Sequence, residues 1–167
     1  MLLAFNMNKQ LLSLYKKFRA FGYAKVMLAI FVLSISLAAK SQEAPLSAVG
    51  NPLGAPADMK LAELKSILLG EKQRWKNGNR IIIALMKTNT LIGKNTSVRI
   101  YDMTGDQLNK YWLALVFQGK AQAPTFFNST SELETFVAQT PGAIGIVDKP
   151  ITDGDIKPVS INGQKTF

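Results

Sequence analysis

The chain has no cysteine and no histidine among its 167 residues. Without thiols there is no disulfide framework, no cysteine nucleophile and no thiolate metal ligand. Without imidazole, the usual zinc sites and every His-dependent triad are excluded as well. Acidic residues are missing from the first 41 positions, where Lys9, Lys16, Lys17, Arg19, Lys25 and Lys40 supply 6 of the formal net charge of +9. The remaining 126 residues carry 14 basic and 11 acidic side chains. That balance describes an ordinary soluble surface and excludes a nucleic-acid-binding stripe.

A long hydrophobic run is also lacking. The most apolar stretch, Val26 to Ala39, has 14 residues, short of the roughly 20 that a membrane-spanning helix needs. A basic segment, a short apolar segment and the small-residue exit Ala39-Lys40-Ser41 make a secretory signal peptide of residues 1–41, cleaved near Ser41/Gln42. An uncleaved anchor or a buried helix is the alternative. No cysteine follows the apolar segment to carry a lipid, and Met1, Met7 or Met27 could each initiate, the last with too little basic segment before it. The domain of residues 42–167 is then periplasmic or secreted, and it meets a membrane only through the signal segment. A domain of that size buries about two-thirds of its unfolded surface, enough for one core without staples.

Within the domain, Leu46 to Val49 predicts a short strand, followed by the loop Gly50 to Pro56. Asp58 is placed to cap a helix bearing Met59, Leu61, Leu64, Ile67 and Leu68 at helical spacing, with Gly70 as its stop. Trp75 precedes the turn Asn77-Gly78, and Arg80 to Met86 is a continuous apolar run that reads as a strand buried on both faces. Asn95 or Thr96 is expected to cap a short helix reaching Met103. Thr104-Gly105-Asp106-Gln107 has capping-box spacing ahead of Leu108, Tyr111, Trp112, Leu115 and Val116. Ser129 or Ser131 caps a further helix with Leu133, Phe136 and Val137, ended by Pro141-Gly142. Ala143 to Val147 is a second buried strand, Asp153-Gly154 a turn, and Ile156 to Ile161 a last strand at the sheet edge. Alternating strands and helices predict an α/β architecture.

The punctuated segments come in a fixed order: Gly50-Asn51-Pro52, Leu68-Leu69-Gly70-Glu71-Lys72, Trp75-Lys76-Asn77-Gly78, Tyr111-Trp112, Phe117-Gln118-Gly119 and Pro141-Gly142-Ala143-Ile144-Gly145-Ile146-Val147. In this order they resemble the phosphate-type periplasmic substrate-binding proteins of ABC transporters, and more closely short, one-lobe members of that superfamily. The resemblance covers Val49 to Val147. It implies a single lobe of a type 2 periplasmic-binding-protein-like fold, a central mixed sheet flanked by helices. The residue types have structural reasons of their own. Gly70, Gly78 and Gly119 suit turns and helix ends, and Trp75 and Trp112 suit core anchors.

In that family the ligand sits at a Ser-Gly-Thr segment opening a helix, preceded by Arg and Asp. The corresponding stretch here reads Lys94-Asn95-Thr96-Ser97-Val98. The resemblance therefore implies an anion site of Thr96, Ser97, Lys94 and Asn95, with hydroxyls and helix-start amides cradling an oxyanion such as inorganic phosphate. A simple N-cap beside a solvated lysine is the bland alternative. Lys94 and Asn95 depart from the family pattern, and only one lobe of the family's two fits in 126 residues. The expected function is non-enzymatic solute binding, with no cofactor and with an ABC transporter permease or another envelope protein as partner. The alternative is a degenerate form of the fold kept for protein contacts or regulation. Gly93-Lys94-Asn95-Thr96 fails the phosphate-loop pattern, because Thr88 stands where Gly is required. The carboxylate pairs Asp102/Asp106 and Glu132/Glu134 fall at helix boundaries and suggest no catalysis, and Asp153/Asp155 lack the oxygen ligands of a calcium loop.

Overall fold

The sheet begins with a short buried strand, β1 (Ser47–Gly50), all four residues of which are buried. The computed structural model describes residues 45–149 and 156–167. The signal segment and its cleavage point, and the turn at Asp153-Gly154, lie outside the described residues.

The elements that follow are β2 (Asp58–Met59), α1 (Leu61–Leu68), β3 (Ile82–Met86), α2 (Leu91–Tyr101), α3 (Gly105–Phe117), β4 (Thr125–Phe127), α4 (Thr130–Gln139), β5 (Ala143–Val147) and β6 (Lys157–Ile161). They build one mixed sheet in the order β2-β6-β1-β5-β3-β4. β3 pairs in parallel with both β4 and β5, β2 is parallel to β6, and β1 is antiparallel to β5 and β6. The register is set by Ile83 opposite Ile144 and by Val49 opposite Gly145. The two apolar runs of the sequence, β3 and β5, occupy the middle, where strands covered on both faces must be apolar throughout. Every residue of β5 is buried.

Helix α4 packs Leu133 and Val137 onto the sheet, and Gly145 leaves room for them; a Cβ there would lie 2.7 Å from Leu133 Cδ2. Burial of Leu64, Ile67, Leu68, Leu108 and Trp112 completes the core. Trp75 is 4% and Trp112 3% exposed, so both tryptophans are anchors, as their sequence context predicts. Trp75 donates its indole N–H to the Gly142 carbonyl at 2.9 Å, tying the Trp-x-x-Gly turn to the start of β5.

Four expectations need correction. Asp58 does not cap α1. It belongs to β2, its Oδ1 accepts from Gly163 N at 2.9 Å, and α1 starts after Lys60 without a side-chain cap. Consequently β6 is not an edge strand, because β2 lies outside it. The helix expected from Asn95 or Thr96 starts at Leu91 with Thr90 as N-cap, and it ends at Tyr101 with Asp102 left-handed at φ 54°. Finally, Thr125-Phe126-Phe127, where no strand was expected, adds β4 beside β3. The capping box of α3 is as expected, with Thr104 accepting from Gln107 N and Gln107 accepting from Thr104 N. Ser129, the first of the two candidates, caps α4.

Candidate functional site

β3 delivers the chain to Lys87, whose N–H is held by the Phe127 carbonyl of β4 at 2.9 Å. The chain then turns at once into α2. Thr90 N and Thr90 Oγ1 both donate to the Lys87 carbonyl, at 2.9 and 2.8 Å, and Thr90 Oγ1 accepts from Gly93 N at 3.0 Å. The turn is so tight that a Cβ on Gly93 would lie 2.1 Å from the Lys87 oxygen, so only glycine fits there. Lys94 N already bonds the Thr90 carbonyl. The amides left over at the helix start, Leu91 and Ile92, have no partner among the described residues. Unpaired N–H groups and the positive end of the helix dipole make that end favourable to negative charge.

Beside this helix start lies an open concavity of about 440 Å³. Thr88, Asn89 and Lys94 line it from the β3–α2 connection and the first turns of α2, and Ser97 and Val98 come from the next turn. Thr104, Gly105 and Asp106 close it from the start of α3. The two sides are fastened to each other: Asn109 Nδ2 donates to Thr88 Oγ1 at 3.3 Å, and Gly105 is so close to Thr88 that a Cβ would fall 2.8 Å from the Thr88 Cβ.

Of the four residues expected to form the anion site, the concavity brings together Lys94 and Ser97. Lys94 is exposed and free to reach an anion, whereas Ser97 is 1% exposed and donates its hydroxyl to the Lys94 carbonyl at 2.8 Å. Thr96 is buried, and Asn95 is half-buried outside the lining. The expectation placed the helix start about five residues too late. The amides of Thr96 and Ser97 therefore lie inside α2, where α-helical geometry engages them with carbonyls four residues back. The residues sequence reasoning missed are Thr88, Asn89 and Thr90. The signal that could have found them is Thr90 three residues before Gly93, an N-cap directly after the apolar run of β3.

The charged pairs set aside on sequence grounds have structural roles. Asp102, the left-handed cap of α2, lies 3.7 Å from Lys65 Nζ. Glu132 accepts from Asn128 N at 3.2 Å at the start of α4. Among the described residues there is no group of three or more acidic, His or Cys side chains that could hold a metal ion. No described helix is long and apolar enough to cross a membrane.

No family model matches the sequence, and no curated protein matches it either. Solved structures do resemble it. An ABC-type phosphate transport receptor from Vibrio cholerae superposes with a TM-score of 0.54 at 16% identity, over 74% of this chain and 48% of the receptor. A protein described as a phosphate ABC transporter substrate-binding protein, from Clostridium perfringens and with bound phosphate, gives 0.53 at 13% identity, over 72% and 46%. PstS from Borrelia burgdorferi gives 0.52 at 21% identity, over 72% and 48%. The chain thus spans about half the length of the receptors it matches. Its described domain has the fold of a single lobe of the type 2 periplasmic-binding-protein kind, the fold of the phosphate receptors.

Proposed function

We propose that this domain is a secreted or periplasmic, non-enzymatic solute-binding module that takes an oxyanion, inorganic phosphate first among them, in the concavity at the start of α2. The observation that carries the reading is the concavity where Thr88, Asn89 and the exposed Lys94 meet beside the start of α2, on a fold shared with phosphate receptors. Lys94 keeps its place in the expected site. Ser97 is committed to the Lys94 carbonyl, Thr96 is buried and Asn95 lies outside the lining, and Thr88 and Asn89 take over the polar contacts. Asp106 also lines the concavity. A carboxylate can only accept a hydrogen bond, so it favours an oxyanion that still carries a proton at neutral pH. Phosphate meets that condition and sulfate does not. An ABC transporter permease, or another envelope protein, would be the partner of such a module.

Titrating residues 42–167 with phosphate and with sulfate, followed by backbone amide NMR, tests the reading. Saturable shifts at Thr88 to Lys94, stronger for phosphate, are expected. No shift at millimolar phosphate would overturn it.

A second reading is a fold kept for protein contacts. The exposure of Leu113, Val116 and Phe117 on α3 favours it, since large apolar side chains gathered on one face commonly mark an interaction surface. Under it, envelope extracts would yield one stoichiometric partner for the domain while phosphate leaves the spectrum unchanged.

A further inference from the structure

The chain contains two Asn-Gly steps, Asn77-Gly78 and Asn162-Gly163, and all four residues are exposed. Both steps sit in turns where glycine takes a positive φ, 87° at Gly78 and 78° at Gly163. Asparagine is a thermolabile side chain, most so before glycine, where no Cβ shields the following backbone nitrogen. What separates the two steps is how that nitrogen is held.

Asn77 stands in a hairpin loop closed by Trp75 N on the Asn79 carbonyl at 2.8 Å, with Gly78 N on the Trp75 carbonyl at 3.0 Å. The Gly78 nitrogen is thus tied only within the loop, to a neutral acceptor. Asn77 Nδ2 reaches the Leu53 carbonyl at the long distance of 3.4 Å, and Asn77 Oδ1 accepts from Asn79 N at 3.1 Å. Arg74 places its guanidinium on the Gly78 carbonyl at 2.9 Å, and Lys76 and Arg80 are exposed nearby. Positive charge around the loop favours negative charge on the Gly78 nitrogen. At the other step the surroundings are reversed. Gly163 N donates to the Asp58 carboxylate at 2.9 Å, so removing its proton would set two negative charges in contact. Asn162 N bonds the Met59 carbonyl at 3.0 Å, and Asn162 Oδ1 accepts from Leu61 N at 3.3 Å. Freeing Gly163 therefore parts the end of β6 from β2 and from the start of α1, whereas freeing Gly78 opens a surface loop.

We infer that Asn77 is a site of spontaneous covalent modification in this protein and that Asn162 is protected from the same reaction. The Gly78 nitrogen gives its proton to water or hydroxide, its electron pair attacks Asn77 Cγ, and the side-chain nitrogen leaves as ammonia. Asn79 N–H steadies the Oδ1 oxygen as it takes up negative charge during ring closure. Water then opens the cyclic imide, at Cγ to give aspartate or at the main-chain carbonyl to give isoaspartate. One water is consumed, one ammonia is released and nothing is oxidised or reduced. Either product adds a carboxylate to the lining of a concavity of about 210 Å³ that already holds Asp58 and Glu63. Isoaspartate also lengthens the hairpin by one main-chain atom close to Trp75, whose indole ties this turn to β5.

The full chain is aged at mildly alkaline pH, folded and in urea, and the peptides spanning each step are followed by chromatography and mass spectrometry. In the folded chain Asn77 should convert about tenfold faster than Asn162 or more, and in urea the two should convert alike. Asp58→Asn removes the carboxylate and keeps an oxygen acceptor; it should speed conversion at Asn162 several-fold with Asn77 as the internal reference. Equal conversion of the two steps in the folded chain, an Asn77 that survives there while the urea-unfolded chain converts, or an Asn162 rate unchanged by Asp58→Asn would overturn the inference.

Discussion

Asn51 offers the sharpest test of how this fold is held, because one buried side chain makes three hydrogen bonds, two of them to a distant part of the chain. Its Nδ2 donates to the Val137 and Ala138 carbonyls at 2.9 Å each, and its Oδ1 accepts from Leu53 N at 2.9 Å. Val137 and Ala138 lie in the last turn of α4, whose carbonyls have no partner within the helix. Asn51 is 3% exposed, so water does not replace it readily. Asn51→Ala removes three bonds worth about 1 kcal/mol each and leaves two carbonyls and an amide unpaired, a loss of about 3 kcal/mol. For a domain of this size that lowers Tm by about 10 °C. Urea denaturation followed by the fluorescence of the buried Trp75 and Trp112 measures it directly. Asn51→Asp sharpens the argument. It keeps the acceptor for Leu53 but turns a carboxylate onto two carbonyl oxygens, so at neutral pH it should be worse than alanine. Burial and those oxygens raise the folded-state pKa of the new carboxyl above its unfolded value of about 3.9. Stability is then fully present below about pH 4 and is lost as pH rises through the folded pKa. A loss below about 1 kcal/mol for Asn51→Ala, with an unchanged denaturant slope, would refute the assignment of Asn51 as the tie between the β1 loop and α4.

The remaining predictions concern the site and the core. Gly142→Ala places a Cβ 2.3 Å from the Arg80 oxygen at a residue with φ +84°; it should cost more than about 2 kcal/mol by urea denaturation. Thr90→Ala should cost about 1 kcal/mol as a lost N-cap, while Lys94→Ala should leave stability unchanged and weaken phosphate shifts several-fold in the same NMR titration. Burial pushes the Tyr101 hydroxyl pKa up. The Trp112 indole beside it acts in the opposite direction but less than burial does, and neither group completes a hydrogen bond by geometry. The folded pKa lies above the unfolded value of about 10, so this contribution is intact below pH 10 and fades as pH rises above it. Absorbance near 295 nm should show one tyrosine that ionises only on alkaline unfolding, and Tyr101→Phe should abolish that component at little cost in stability.

What could be read in the sequence was local in its physics. β3 and β5 were visible because strands covered on both faces must be continuously apolar, and α3 because Thr104 and Gln107 satisfy each other's backbone across a single turn. What could not be read depends on contacts between residues far apart. Asp58 looked like a cap because aspartate followed by helical spacing usually is one. Its carboxylate is instead claimed by Gly163, and its backbone by β6, about a hundred residues later. β4 has only three residues, too few to show a period, and exists because β3 offers an open edge. The site suffered from the same limit. Lys94 lines the concavity, but the start of α2 is set by the Lys87 carbonyl receiving both donors of Thr90 and by the absence of a Cβ at Gly93. Glycine at 93 has low helix propensity and so does not mark a helix interior. It is the residue that lets the helix begin at Leu91, beside the concavity, so the early start of α2 depends on a close approach between Gly93 and the Lys87 carbonyl that no local pattern announces.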